Sequence, residues 1–172
     1  MKNDVIRIKE EIINKIEVSE EVFLLRMNKI GRGAQIIVKI LSLLSENGVM
    51  INTFYKQVYG NNQASFSATC GHEYAELLES EKFKNDIRDI IGTNNKLLMR
   101  RGLKEVHISG VGITTASGVV YRIRKALQNE SINIYGMSTS EISLTVLIDA
   151  KDAMKTAIAL DTAFNKNTDD GE

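Results

Sequence analysis

Residues 119–149 read VVYRIRKALQNESINIYGMSTSEISLTVLID, and the period of the apolar residues changes within this short stretch. The first third has apolar side chains three and four residues apart and predicts an amphipathic helix, with the apolar positions at Val119, Val120, Ile123, Ala126 and Leu127. The last third alternates apolar with polar residues and predicts a half-buried strand, with the apolar positions at Ile142, Leu144, Val146 and Ile148. With residues 132–138 as a second strand, the stretch predicts a helix followed by a strand pair.

The same pattern occurs 83 residues earlier in the chain, which is the distance from Ile36 to Val119. At this offset Ile37 pairs with Val120, Ile40 with Ile123, Leu44 with Leu127, and Val49-Met50-Ile51 with Ile132-Asn133-Ile134. The element order and the apolar phase agree over about 30 residues, and self-similarity at a fixed offset is typical of repeated units. The sequence therefore predicts an internal duplication.

The first copy has the predicted order strand, helix, strand, strand, helix, strand. These elements are a strand at 22–27, a helix at 36–44 that stops at Gly48, a hairpin of 49–59 and 64–70 around Gly60-Asn61-Asn62, a helix at 73–91 with a break near Ser80, and a strand at 97–101.

The second copy supplies a strand at 106–111, the helix and strand pair described above, and a last helix. That helix is predicted to begin with Asp149 as its N-cap and to have Asp152 in its first turn. Its predicted inner side consists of Ala153, Met154, Ala157, Ile158 and Phe164. The polar residues 165–172 do not predict a buried strand, so the second copy is one strand short.

Residues 12–18 are strand-like, precede the first copy and have no other evident partner. We therefore expect this segment to return and complete the sheet of the second copy, which would cover an otherwise open sheet edge. The alternative is a frayed N-terminal helix.

Composition excludes several classes of function. Lys plus Arg and Asp plus Glu both number 22, so no nucleic-acid or anionic-membrane partner is expected. No apolar run approaches the roughly 20 residues that a spanning helix needs, and the N-terminus lacks the apolar core of a signal peptide. Cys70 is the single cysteine, which excludes an internal disulfide and fits a reducing compartment. A cytoplasmic protein is expected.

Residues 106–164 resemble the last ACT unit of aspartate kinases. The resemblance rests on Gly110-Val111-Gly112, Gly118-Val119, Ile132-Asn133-Ile134 and Ser138-Thr139-Ser140-Glu141-Ile142, which occur in the family's order and at its spacing. The first copy resembles its counterpart more weakly. In that family two ACT units stand in tandem, and a strand that precedes the first unit completes the second.

The resemblance implies an α+β fold of two ferredoxin-like βαββαβ ACT units, with antiparallel sheets and helices on one face. The implied division is a strand at 12–20, a first unit at 21–102 and a second at 103–165. It implies a regulatory module that binds an amino-acid effector of the threonine or lysine class. It also implies a homodimer, with a kinase subunit as a possible partner. Because residues 1–21 leave no room for a kinase domain, no kinase activity is expected of this chain alone. No cofactor is expected either.

By matching position, the resemblance also implies where an effector binds. In the first unit these positions are Arg32, Gly33, Ala34, Gln35, Ile36, Asn52 and Lys56, and in the second Gly118, Val119, Val120, Asn133 and Ile134. Helix N-termini offer backbone N–H groups to a carboxylate, and an asparagine both donates and accepts.

The first unit departs from the family at three points. The family usually has Asp at Arg32, Pro-Gly at Ala34-Gln35 and Gln at Lys56, so this unit shifts toward anion binding and away from lysine. A free-standing ACT protein that has lost its ligand and only holds partners together stays an alternative. Whether the chain is a separate subunit, a piece of a kinase or a free-standing protein is left open by the sequence.

Other chemistries are poorly supported. Gly110 and Gly112 lack the third glycine of a dinucleotide fingerprint, and no phosphate-binding GK[ST] sequence is present. Cys70, His72 and His107 lack the companions of a zinc site, so no metal is expected. An enzyme of ferredoxin-like fold would need an acid–base pair, and neither histidine has one in the sequence.

Overall fold

The computed structural model describes residues 13–31, 34–59, 63–92, 95–110, 113 and 117–165. The first half contains strand β1 (Lys15–Gly31), helix α1 (Ala34–Glu46), strands β2 (Ile51–Val58) and β3 (Gln63–Gly71), a 3-10 turn (His72–Tyr74), and helices α2 (Ala75–Glu79) and α3 (Glu81–Ile91). The second half contains β4 (Lys96–Ser109), α4 (Val119–Asn129), β5 (Ile134–Thr139), β6 (Ser143–Asp149), a 3-10 turn (Ala150–Asp152) and α5 (Ala153–Asn165).

The chain divides into two compact units. The first unit is Glu20–Leu103, and the second combines Met1–Ser19 with Lys104–Glu172, so β1 and β4 each give residues to both. The strands within each unit are hydrogen-bonded side by side. The first unit has the order β2-β3-β1-β4, and the second has the equivalent order β5-β6-β4-β1. The predicted α+β class with two ferredoxin-like units is confirmed, including the N-terminal strand that completes the second.

The core of the first unit lies between its sheet and helices α1 to α3. Alternate residues of β1, namely Phe23, Leu25 and Met27, lie opposite Cys70, Ala68 and Phe66 of antiparallel β3, and all six are buried. Because side chains alternate across a strand, this register places all of them on the helix-covered face. Helix α1 packs against them with the predicted stripe, which includes Ile37, Ile40 and Leu44.

The break predicted in the second helix of the first unit is confirmed at Ser80. Its backbone leaves the helical region (φ −61°, ψ 145°), and its side-chain oxygen accepts a hydrogen bond from the Phe83 backbone N–H at 3.2 Å. This bond satisfies one of the donors that a helix start leaves unpaired. Ser80 therefore ends α2 and caps α3.

We expect Ser80→Ala to lower the free energy of unfolding by about 1 kcal/mol, because the Phe83 N–H loses its acceptor. Equilibrium urea unfolding followed by circular dichroism measures this loss. Ser80→Asp keeps a cap acceptor and is the matched control. Equal destabilisation by both substitutions would show that the cap contributes nothing.

The N-terminal strand lies in the second unit, as predicted. The Asn14 N–H donates to the carbonyl oxygen of Ser109 at 2.8 Å, and the Glu105 N–H donates to the Ser19 hydroxyl at 2.9 Å. Ile13 and Ile16 pack against the buried cluster of this unit. Residue 12, where the predicted strand begins, lies outside the described residues.

The two helix ends at the repeat offset have the same geometry, which supports the duplication. Gly48 and Ser131 are equivalent, and both have left-handed backbones, with φ of 68° and 56°. The same pair of backbone bonds closes α1 and α4, with N···O distances of 2.9 Å from Gly48 to Ser45, Val49 to Leu44, Ser131 to Gln128 and Ile132 to Leu127. Ser131 is thus held in a conformation that normally requires glycine.

The strand predictions were wrong about where strands end. Residues 15–18 of the first predicted strand and residues 22–27 of the second are parts of one strand, β1, and segments 97–101 and 106–109 are parts of β4. The polar Ser19-Glu20-Glu21 is extended because it lies within β1, which pairs with its neighbouring strands whatever the local preference of these residues. Gly102 has a left-handed backbone, with a φ of 69°, yet strand β4 continues through it. Residues 111–112 lie outside the described residues.

The inner side predicted for the last helix was also partly wrong. Met154 and Ile158 are 70% and 60% exposed, whereas the buried residues of this helix are Ala153, Thr156 and Leu160. The buried residues are spaced three and four apart, so they form one helix face, which lies beside the stripe that the apolar residues Met154 and Ile158 had suggested. Asp149 makes no side-chain cap and instead accepts a hydrogen bond from the Tyr135 hydroxyl at 3.0 Å.

Candidate functional site

The predicted loop site of the first unit is only partly described. Arg32 and Gly33 lie outside the described residues, and α1 begins at Ala34. In its first turn Gln35 is exposed, while Ile36 is half-buried and packs against the core of the unit. Gln35 is therefore the accessible described side chain at this helix start.

Asn52 and Lys56 both lie on β2, the edge strand of the first unit. Both are exposed and stand two residues to either side of Phe54 along the strand. The pairing register shifts between Ile51 and Thr53, so regular alternation places Phe54 and Lys56 on one face but does not extend to Asn52. The Phe54 ring is 55% exposed and stacks on Phe66 with centroids 6.2 Å apart. The two polar residues thus flank an exposed aromatic ring.

In the second unit, Gly118 immediately precedes α4 with a left-handed backbone (φ 83°). Its carbonyl oxygen accepts the Arg122 N–H at 2.9 Å. Val119 is buried, and Val120 is 39% exposed. A Cβ atom at Gly118 would meet no other atom within 4 Å, so it is backbone conformation and not space that requires glycine here.

Asn133 and Ile134 line a cavity of about 470 Å³ where α4 ends and β5 begins. Its lining is completed by Arg124, Gln128, Ser131 and Ile132. An 11-residue helix is about 16 Å long, so α4 separates this cavity from Gly118–Val120 at its other end. Within the second unit, the structure therefore does not bring these two groups of predicted residues together.

Arg124 and Gln128 are cavity residues that the sequence prediction missed. They lie four residues apart, on one face of α4, and immediately precede the turn that leads to Asn133. Their spacing alone gives no functional signal, because exposed polar residues at such spacing are common on helix surfaces. The strained Ser131 was equally unpredictable.

The first unit has an equivalent but apolar hollow of about 320 Å³. At the repeat offset Leu41 stands for Arg124, Ser45 for Gln128 and Met50 for Asn133. The first unit thus lacks both the charge and the amide group of the second. The duplicated units have the same backbone at this point and different chemistry.

The segment Ser138–Ile142 ends β5 and forms a tight turn. The Ser140 N–H donates to the Ser143 carbonyl oxygen at 2.8 Å, and the Ser140 hydroxyl accepts the Ser143 N–H at 3.1 Å. The carbonyl oxygen of Ile142 accepts the Gly110 N–H at 3.0 Å. A backbone hydrogen bond therefore links the two sequence motifs that contain Gly110 and Ile142. The role of these two residues in the bond is structural.

The reactive side chains are placed as follows. His107 Nδ1 lies 3.0 Å from the Thr145 hydroxyl, and its Nε2 lies 3.6 Å from a Glu105 carboxylate oxygen. Burial, with a smaller effect of Glu73, raises the pKa of the Cys70 thiol to about 12. A thiol with so high a pKa is a poor nucleophile. Within the described part of the chain, no three metal-ligating side chains are grouped.

The second unit is similar to a known domain family. The family model of the ACT domain matches residues 106–164, which include the end of β4 and all of α4, β5, β6 and nearly all of α5. Over residues 106–164 this chain is similar to the ACT domain. The cavity at Asn133 and the tight turn at Ser140 both lie within the matched residues.

The similarity extends beyond the ACT domain to nearly the whole chain. The aspartokinase of Pseudomonas aeruginosa is 30% identical over 159 residues, which are 90% of this chain and 37% of that protein. The regulatory subunit of aspartate kinase from Thermus thermophilus, in its ligand-free form, has a TM-score of 0.76 at 22% identity, covering 89% of this chain and 99% of that one. Aspartokinase III of Escherichia coli in complex with lysine and aspartate has a TM-score of 0.68 at 14% identity, covering 91% and 34%.

This chain spans 37% of the length of the curated relative that it matches. The match falls on the ACT regulatory region of aspartate kinases and not on their kinase domain, which confirms the resemblance predicted from the sequence. In the described ranges, no helix is long and apolar enough to span a membrane.

Proposed function

We propose that this chain is the regulatory, amino-acid-binding module of an aspartate kinase and that its second ACT unit holds the effector. The observation that carries the proposal is the polar cavity beside Asn133, with Arg124 and Gln128 on its other side. At the equivalent positions the first unit has the apolar residues Leu41 and Met50. This difference supports the cavity of the second unit as the one specialised for a polar ligand.

The chemistry of the lining favours a small neutral amino acid. The guanidinium of Arg124 is suited to an α-carboxylate, and the amides of Asn133 and Gln128 supply both donors and acceptors for an ammonium or hydroxyl group. None of the described residues that line the cavity is a carboxylate, so a second ammonium group would find no counter-charge among them. Of the two predicted effector classes, threonine is therefore favoured over lysine.

Regulation requires that the effector bind two arrangements of the protein with different affinity. We propose a homodimer of the module as the element with two arrangements and a kinase subunit or domain as the recipient of the signal. The domain division at 12–20, 21–102 and 103–165 and a cytoplasmic location belong to the same proposal.

Titration calorimetry with each amino acid tests the effector claim. We expect saturable heat with threonine or another small neutral amino acid, and Asn133→Met is expected to weaken it at least tenfold by giving the second unit the residue of the first. Met50→Asn is the matched control, because it makes the reverse change at the equivalent exposed position. Unchanged affinity in Asn133→Met would remove the cavity from the proposal.

The second candidate is an assembly module without a ligand, which the apolar hollow of the first unit and the basic residues Arg32 and Lys56 favour. It predicts no heat with any amino acid, together with a stable dimer in light scattering. This second candidate is rejected if an amino acid gives binding heat with the wild-type chain and that heat is lost in Asn133→Met.

A further inference from the structure

The second unit has an open groove between α4 and α5, on a side of α4 that the effector proposal does not use. The groove has a volume of about 770 Å³. Met154 and Ile158 line it from α5 and are 70% and 60% exposed. Ala126, Ala159 and Ala163 also line it, and their short side chains leave room above the helix backbones.

The rims of this groove carry an excess of positive charge. Its described lining contains Arg122, Lys125, Lys151 and Lys155 against one carboxylate, Glu130. Lys155 lies 3.1 Å from Glu130 Oε2 and donates to the Glu130 carbonyl oxygen at 2.7 Å. Arg122 donates to the Ala163 carbonyl oxygen at 2.7 Å and lies 4.2 Å from the centre of the Phe164 ring.

In the described structure, Lys125 and Lys151 therefore remain as the lining cations that neither pair with a carboxylate nor donate to a carbonyl oxygen. Lys125 lies on α4 and Lys151 lies in the turn that precedes α5, so the two belong to opposite rims. The ammonium nitrogen of Lys125 lies 5.9 Å from the centre of the Tyr121 ring. A basic rim on each side of an apolar floor is complementary to an apolar stripe bordered by carboxylates.

We infer that this groove docks an amphipathic helix of a protein partner, with an apolar stripe flanked on both sides by Asp or Glu. The walls are two helices, whose interior N–H and C=O groups are already bonded within each helix, so an added β-strand would find no ladder to join. A third helix fits because side-chain ridges on one helix pack into the grooves of its neighbours. α5 has 13 residues and is about 20 Å long, so three to four turns of the partner would cover it.

The probe for this inference is a fluorescein-labelled 16-residue peptide with Leu at positions i, i+3, i+4 and i+7 of each half and Glu on both borders. Its control has Lys in place of every Glu. We expect the Glu peptide to bind the whole chain saturably in fluorescence anisotropy and to bind more weakly as salt rises from 50 to about 300 mM. The Lys peptide is expected to bind at least tenfold more weakly. Absence of saturable binding by the Glu peptide overturns the inference.

Variants locate the peptide on the surface. Met154→Asp and Ile158→Ser are each expected to weaken binding at least tenfold, and Lys125→Glu with Lys151→Glu is expected to do so for the Glu peptide only. The matched control is Val38→Asp on α1, because Val38 is 62% exposed and lies in the other unit. Equal effects of Val38→Asp and Met154→Asp overturn the assignment, and melting curves of all variants show that each is folded.

Two other occupants are distinguished by the same variants. If light scattering shows that Met154→Asp converts a dimer to a monomer, a second copy of this chain covers the groove and the inference is wrong. If vesicles with anionic lipid bind wild type and not Met154→Asp while the peptide does not bind, the surface is a membrane contact and the inference is equally wrong. The docking surface does not depend on effector binding, so calorimetry with amino acids leaves its test unaffected.

Discussion

Replacing Phe66 by alanine is expected to lower the free energy of unfolding by about 3–5 kcal/mol, the usual range for a buried phenylalanine. None of the surface of Phe66 is exposed. It lies on β3 between β1 and β2, where its register partners are Met27 and Lys56. Because antiparallel pairing fixes β3 on both sides, the strand cannot move to fill the space of the missing ring. Equilibrium urea unfolding followed by circular dichroism measures the loss.

The matched control is Phe54→Ala, the same change on the ring that stacks on Phe66. Phe54 is 55% exposed on the edge strand, so its removal loses part of one stacking contact and leaves no enclosed cavity. We expect the free energy of unfolding to fall by about 1 kcal/mol, which is within the range measured for single aromatic pairs. If the two substitutions cost the same, the enclosed packing around Phe66 is not what stabilises the first unit.

Raising the pH from about 9 to 12 is expected to destabilise the wild-type chain more than Cys70→Ala. Burial raises the pKa of the Cys70 thiol to about 12, from an ordinary value of 9.0. In this window the unfolded chain loses the thiol proton while the folded chain keeps it, so the free energy of unfolding falls as pH rises, and the contribution is fully present below pH 9. One proton gives a slope of up to about 1.4 kcal/mol per pH unit.

The readout is the difference in slope between the two proteins, because lysine and tyrosine titration affects both alike. Urea unfolding at several pH values between 8 and 12 supplies it. Alkylation by iodoacetamide is a second measurement: at pH 8 the native thiol is expected to react far more slowly than the thiol in 6 M guanidinium. Parallel slopes together with rapid native alkylation would show that Cys70 is not shielded.

The duplication has left two similar scaffolds with different surfaces. The closing turns of α1 and α4 share their backbone bonds, but the neighbouring hollow is apolar in the first unit and polar in the second. At the turn itself the second unit has Ser131 where the first has Gly48. Strained non-glycine residues occur often at binding sites. The second unit is therefore where ligand chemistry is expected, and the first is the more structural of the two.

Much of the fold was predictable because it rests on local pattern. The stripe Ile37, Ile40 and Leu44 is buried as predicted, and the helix break at Ser80 lies where the apolar spacing fails. The candidate site was less predictable. Asn133 and Ile134 share a cavity, but Gly118 lies at the opposite end of α4, and Arg124 and Gln128 had given no signal.

The sequence by itself determined that residues 119–149 form a helix and a strand pair, that this pattern is repeated, and that a strand from residues 12–18 is needed. These features could be read from the sequence because apolar period and element order are properties of one continuous segment. Only the tertiary structure decided that β1 and β4 run without interruption, because strand pairing holds polar Ser19 to Glu21 extended whatever their local preference. It alone decided that Met154 and Ile158 face outward, because the face of α5 that packs inward, through Ala153, Thr156 and Leu160, includes a polar residue and short side chains that the apolar spacing does not single out. The chemistry of the cavity beside Asn133 likewise depends on which side chains the turn at Ser131 brings together, and that is a property of the folded chain.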